Sequence, residues 1–369
     1  MKIAKMVIEN FRHIERLELD FTDSLGRVRD VSVIVGPNTS GKTTILDAIA
    51  AGVGLATELR PVPLRSGFVL GSRALVRRGA VRARVTSTIH FSQDEIDAVR
   101  RLFSLAEEPE GQVQDDRVVQ VTWDFPSSQY KGSRFHIQCD PSHGCNLLKG
   151  RATAARLLST ERVGLEWFSR VGGVFVFDQQ RTGMGKVIQR DIWKIIQYSI
   201  PEESIQDWPD RRYTTDPRTI LLALAVKSAF PSAQDTRSDQ FSLIKSRYDQ
   251  VCKPHQLVGA VRNAQDELDL CFRQGEYEYK YDGLSSGEQM MLLFLIKMVT
   301  EHINRSIVLI DEIELHQHPL WQRKLLNLLP KMGIDNQFIV TTHSAYLRDN
   351  VPGDAIIDLG DLGDRRGRR

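Results

Sequence analysis

The stretch "VSVIVGPNTSGKTT", residues 31–44, constrains this chain more than any other. Its β-branched run over 31–36 predicts a buried strand ending in Gly36. Gly41-Lys42-Thr43 follow after a short polar loop, and "TTILDAIAAGVGLA" (43–56) puts Ile45, Ala48, Ile49 and Val53 on one helical stripe. Strand, glycine-bounded loop and helix are the context that a phosphate-binding loop requires. The glycines let the loop turn tightly so that its N–H groups face an anion. Lys42 adds a cation for the phosphates, Thr43 a hydroxyl for Mg²⁺, and the helix start its positive end. The expected nucleotide contacts are Gly36, Asn38, Ser40, Gly41, Lys42, Thr43 and Thr44, with Lys42 also acting on the reacting phosphate.

Three further motifs follow in the last quarter of the chain. "SIVLIDE" (306–312) carries Asp311 and Glu312 to the end of an apolar strand, where Asp311 can hold Mg²⁺ and Glu312 can polarise an attacking water. "LSSGEQ" (284–289) opens a strongly apolar helix. Taken alone, Ser285 and Glu288 fit an ordinary helix N-cap; with a phosphate loop upstream, Ser285, Ser286 and Gly287 fit an anion site. "VTTHS" (340–344) ends a third strand in His343, which is placed to donate to a phosphate or to the water.

The rest of the 369 residues frame these motifs. Residues 3–21 alternate as a hairpin; 83–92 and 118–125 read as strands around a helix at 94–108, and 172–180 as another buried strand. Residues 186–270 read as mostly helical, with 217–230 the clearest helix. Strand and helix alternate at both ends of the chain around a long mixed insert, which predicts an α/β core built from the two ends. The expected division is a core of 1–56 and 284–369, a β-rich lobe at 57–180 and a helical lobe at 181–283. A net charge of +2 points to no bulk polyanion, and four cysteines fit a reducing compartment rather than a disulfide framework. No segment reads as a signal peptide or a membrane span, so a cytoplasmic protein with no membrane partner is expected.

The order of phosphate loop, insert, "LSSGEQ", "VLIDEIELHQHP" and "TTHS" resembles the ABC-type ATPases. More narrowly it is similar to their soluble branch, which includes the RecF, SMC and OLD families and the AAA-type proteins of bacterial defence operons. The opening "KMVIENFRHIERLELDF", with "NFR" at Asn10–Arg12, resembles the same branch. The resemblance implies a P-loop fold with an ABC-ATPase-like head, and ATP and Mg²⁺ as cofactors. It also implies a homodimer or higher assembly that sandwiches ATP between one copy's phosphate loop and the other copy's Ser285–Gly287. It assigns Arg12 to the nucleotide phosphates, and Gln179 or Gln180, with Gln179 preferred, to nucleotide and metal. Ser286 and Glu288 depart from the transporter-type LSGGQ, no coiled coil interrupts the insert, and no nuclease domain follows His343.

These readings predict an ATP-hydrolysing switch of anti-phage defence that controls a separate effector, a nuclease or toxin. The alternatives are a RecF-like DNA repair ATPase and, against the length of the insert, a transporter subunit. The arginines at 73, 77, 78, 82 and 84 fit either DNA phosphates or a solvated face. Cys139, His143 and Cys145 are a weak zinc candidate of uncommon spacing.

Overall fold

The computed structural model describes residues 1–38, 40–54, 75–107, 113–126, 136–142, 144–178, 217–229, 239–262, 268–314 and 318–360. The chain divides into two compact units. The first takes Met1–Arg181, Ile303–Ile313 and Leu329–Arg369, the second Thr182–His302 and Glu314–Leu328.

The first unit holds two sheets. In the antiparallel one, β1 (Lys2–Phe11), β2 (Ile14–Asp20), β4 (Arg82–His90), β5 (Val118–Pro126) and β6 (His136–Asp140) lie in the order β2-β1-β4-β5-β6. Asn10 and Arg12, both at φ 52°, turn the chain between β1 and β2, and Phe11 pairs with Ile14. Trp123, fully buried, anchors the packing: Phe11 meets it edge-on at 6.1 Å and Phe125 stacks on it at 5.6 Å. On β4 the alternate residues Ala83, Val85, Ser87 and Ile89 are buried, as the period-2 pattern requires.

The second sheet is wholly parallel. β3 (Val31–Val35), β7 (Val174–Asp178), β11 (Ile307–Asp311), β12 (Gln337–Thr342) and β13 (Ile356–Asp358) run in the order β13-β3-β12-β11-β7. Every residue of β11 and β12 is buried, which is why Ile307–Ile310 and Phe338–Val340 read as apolar runs rather than alternations. Helix α1 (Lys42–Ile49) leaves β3 and ends in one π-helical turn, Ala50–Gly54. Gly52 sits in that turn where a Cβ would lie 2.7 Å from Val85 Cγ1. Helix α2 (Gln93–Leu105) starts at a full Ser92–Glu95 capping box. The short α3 (Gly144–Leu148), α4 (Gly150–Leu158) and, after the second unit's helices, α9 (Ala345–Asp349) complete this unit.

A buried amide joins the two sheets. Gln337, fully buried at the start of β12, accepts from the Ile3 N–H (2.7 Å) and donates to the Ile3 carbonyl (2.8 Å). It thereby completes the backbone of β1 where its pairing with β4 shifts register.

The second unit holds α5 (Pro217–Ala229), α6 (Gln240–Val251), α7 (Ser286–Thr300) and α8 (Pro319–Leu328), with an antiparallel sheet β10-β9-β8. Its strands are β8 (His255–Arg262), β9 (Leu268–Gln274) and β10 (Tyr277–Lys280).

Three expectations need correction. The stretch 186–270, read as mostly helical, contains β8 and the start of β9; "HQLVGAVR" offers too few alternations to stand out, and its strand status comes from pairing with β9. Residues 57–180 are not set apart from the N-terminal strands: β4, β5 and β6 extend the sheet of β1, and β7 closes the edge of the parallel sheet. The cysteines are not all reduced. Cys139, at the end of β6, is bonded to Cys145 at the start of α3, with Cα atoms 5.5 Å apart, which leaves neither thiol for zinc; His143 lies outside the described residues. Among the described residues no cluster of metal-binding side chains occurs, and no helix is long and apolar enough to cross a membrane.

Replacing Gln337 by Leu strands two buried backbone groups of Ile3. We expect a loss of about 3 kcal/mol of unfolding free energy, read from urea denaturation followed by circular dichroism. A loss below about 1 kcal/mol would show that the amide bridge is dispensable.

Candidate functional site

The parallel order of the second sheet decides where the motifs meet. Val35 of β3 is in register with Thr342 of β12, and Ile310 of β11 with Val340. The carboxyl ends of these strands therefore form one edge, where ligands of open α/β sheets bind. From that edge β3 runs into the loop 36–41, β11 into Asp311 and Glu312, and β12 into His343.

The loop has the shape expected of it. Gly41 adopts the left-handed φ of 100° directly before α1. At Gly36 a Cβ would fall 2.5 Å from Ser40 Oγ, so a side chain there would fill the cradle. Ser40 Oγ is itself buried without a hydrogen-bond partner, as befits a group that serves a ligand. Lys42, 7% exposed, folds its Nζ back onto the carbonyls of Gly36 (2.8 Å) and Pro37 (2.9 Å). Asn38 is exposed and Thr44 buried, and Thr39 lies outside the described residues.

The oxygen ligands are assembled by side-chain bonds. Thr43 Oγ1 donates to Asp311 Oδ2 at 2.8 Å, across 268 positions of sequence. The other carboxylate oxygen, Oδ1, accepts from Thr341 Oγ1. That same Thr341 oxygen accepts the Glu312 N–H at 2.8 Å. Glu312 takes a positive φ of 49°, a conformation that is costly for a non-glycine residue. It turns the chain out of β11 and leaves the Glu312 side chain partly exposed at the sheet edge. Thr43 and Asp311 are hard oxygen donors side by side, a fit for Mg²⁺, which takes one or two protein ligands and completes its shell with phosphate and water.

Arg12 lies beside α1. Its guanidinium forms an ion pair with Asp47 of α1, itself 3% exposed, and packs 5.7 Å from the Phe11 ring. His343 is exposed just before Ser344 caps α9. Gln179 and Gln180, and residues 315–317 of "ELHQHP", lie outside the described residues.

In the second unit the signature segment is a capped helix start. Ser285 is the N-cap of α7, and Glu288 completes a capping box with it. The Ser285 hydroxyl donates to Glu288 Oε2 (2.8 Å) and accepts the Glu288 N–H (3.3 Å). Its hydrogen is therefore already committed, and the hydroxyl presented outward belongs to Ser286, whose side chain is exposed while Gly287 is buried. Of the arginine-rich stretch, Arg77 is paired with Glu15 and Arg84 with Asp124; Arg73 lies outside the described residues.

Comparison with known proteins agrees with this geometry. The model of the AAA ATPase domain matches residues 1–51, and that of the "AAA domain, putative AbiEii toxin, Type IV TA system" matches 202–349. Two solved SMC heads share the fold at 16% identity. One, bound to the C-winged helix domain of ScpA, has a TM-score of 0.54 and matches over 97% of this chain and 94% of its own. The other, from Pyrococcus furiosus with an extended coiled coil, has a TM-score of 0.51 over 97% and 93%. The chain thus has the fold of an SMC head, and over those two stretches it is similar to AAA ATPase domains.

Three curated relatives match over shorter stretches. The Retron Ec83 probable ATPase of Escherichia coli is 60% identical over 88 residues, 21% of this chain and 16% of that protein. The Retron Vc95 probable ATPase of Vibrio cholerae is 41% identical over 106 residues, 26% of this chain and 21% of that protein. The Septu protein PtuA of Bacillus thuringiensis is 28% identical over 108 residues, 26% of this chain and 27% of that protein. The chain thus matches under a third of the length of each.

Thr341 is the site residue that sequence reading missed. The signal was present, since a threonine near the end of a fully buried run needs a polar partner, and the acidic pair at the end of the adjacent strand supplies one. Asp311→Asn turns one acceptor of two threonine hydroxyls into a donor. We expect it to weaken Mg²⁺-dependent ATP binding at least tenfold, measured by isothermal titration with and without the metal. Equal loss in both conditions would remove Asp311 from the metal.

Proposed function

We propose that the chain is an ATP-hydrolysing switch in which ATP joins two copies head to tail. The observation that carries this reading is the shared sheet edge of the first unit. There Lys42 and Thr43 are set for phosphates and metal, Asp311 is oriented by two threonines, and Glu312 and His343 follow the adjoining strand ends. Lys42 exchanges its two carbonyl partners for the β- and γ-phosphates. Glu312 orients and deprotonates the attacking water, and His343 donates to the γ-phosphate. Thr43 and Asp311, with Gln179 as a further ligand, would hold Mg²⁺, which would supply charge neutralisation. The exposed start of α7 faces the γ-phosphate held by a second copy, an anion that suits its positive end.

The biological role we assign is the ATPase component of an anti-phage defence system in the cytoplasm, acting on a separate effector, a nuclease or toxin. Support comes from the retron and Septu relatives. The second reading is a RecF-like repair ATPase that binds DNA directly, for which the arginines at 77, 78, 82 and 84 are the candidates; the pairing of Arg77 and Arg84 with carboxylates takes two cations away from that use.

The test is the light-scattering mass of wild type and Glu312→Gln, each with and without ATP–Mg²⁺. Loss of the base is expected to slow hydrolysis by about two orders of magnitude or more and to hold the nucleotide-linked dimer in the variant. A mass indifferent to nucleotide in both proteins would rule out the sandwich.

A further inference from the structure

The carboxylate of Glu288 gathers more partners than a helix cap uses. It is 3% exposed, in the first turn of α7. One oxygen, Oε2, accepts the Ser285 N–H (2.9 Å) and hydroxyl (2.8 Å), and that half alone makes the capping box. The other, Oε1, accepts the hydroxyl of Tyr248 on α6 (2.8 Å) and that of Tyr279 on β10 (3.1 Å). His255, at the start of β8, brings Nδ1 to 2.7 Å from the Tyr279 oxygen and 3.2 Å from Oε1. The His255 ring also stands edge-on to Trp321 of α8, with centroids 5.8 Å apart.

An apolar side chain in place of each of these groups would leave the capping box intact and avoid burying further polar atoms. The network is complete instead. Burial, with the negative charge of Glu288 adding to it, raises both phenols well above the ordinary tyrosine range, so each stays a hydrogen donor. With Oε1 held by hydroxyls from two elements, one of them backed by His255 of a third, the carboxylate has one orientation, and Oε2 faces Ser285.

We infer that His255 and Tyr279 are positioning residues for the signature segment. Acting through Glu288, they fix the Ser285 cap and so aim the Ser286 hydroxyl and the Ser286 and Gly287 N–H groups at the γ-phosphate held by a second copy of the chain. His255 also ties the cap to α8, the helix that opens directly after "ELHQHP". This role rests on the sandwich reading. It goes beyond that reading by naming side chains remote from any phosphate whose loss weakens the dimer while leaving the phosphate loop untouched.

The experiment measures the ATP-dependent dimer by light scattering over a concentration series, in a Glu312→Gln parent. Binding of a fluorescent ATP analogue is measured alongside at concentrations where the protein is monomeric. Tyr279→Phe, which removes one oxygen, and His255→Leu are each expected to weaken dimerisation about tenfold with monomer binding changed less than twofold. His255→Asn, whose amide can replace Nδ1 against Tyr279, is expected to recover most of the loss. Gly287→Glu, which puts a negative charge at the anion site, is expected to abolish the dimer.

Parental dimerisation in both Tyr279→Phe and His255→Leu, with Gly287→Glu still monomeric, would overturn the positioning role and leave the sandwich standing. A dimer that survives Gly287→Glu would overturn the sandwich itself. If His255→Leu fails to fold, Tyr279→Phe decides, with hydrogen exchange at residues 285–288 as its second readout: faster exchange supports the role, and parental exchange with parental dimerisation overturns it.

Discussion

One hydroxyl holds the acidic pair in place. Thr341 Oγ1 donates to Asp311 and accepts from the backbone of Glu312, so it fixes the direction of one carboxylate and the path of the chain that carries the other. This contact exists because β12 lies between β3 and β11 with its carboxyl end level with both. A threonine can serve there because its hydroxyl donates and accepts at once. Any side chain lacking one of those capacities would leave either a buried carboxylate oxygen or a buried N–H unpaired.

Under the proposed function the two units handle an anion in two ways. The first uses a glycine-shaped cradle, in which Gly36 and Gly41 make room and Lys42 supplies charge. The second has no cation in its signature segment and uses the start of a helix with aligned N–H groups. Its precision depends on how rigidly the first turn is held, and the buried Glu288 network supplies that rigidity.

Much of this was legible in the sequence because the motifs are local. The phosphate loop, the strand of Asp311 and the strand before His343 each announce themselves within a dozen residues, and the resemblance to ABC-type ATPases set their order. What stayed hidden was set by pairing over distance. The strands at 255–280 have weak patterns and exist because they pair with one another. Gln337 reads as an unremarkable polar residue before a strand, yet its amide serves Ile3 from 334 positions away. Tyr248, His255 and Tyr279 sit in unrelated segments and meet only because α6, β8 and β10 pack around the start of α7. Arg12, which resemblance assigns to the phosphates, is paired with an aspartate of α1 that no motif singles out.

The division of the chain has a mechanical consequence. The units are interleaved: the backbone leaves the first unit after Arg181, returns at Ile303, leaves again after Ile313 and returns at Leu329. The first departure comes directly after the glutamine pair at 179 and 180, and the second directly after Glu312. A displacement of either stretch would thus be handed to the second unit along covalent bonds, like a pull on a cord.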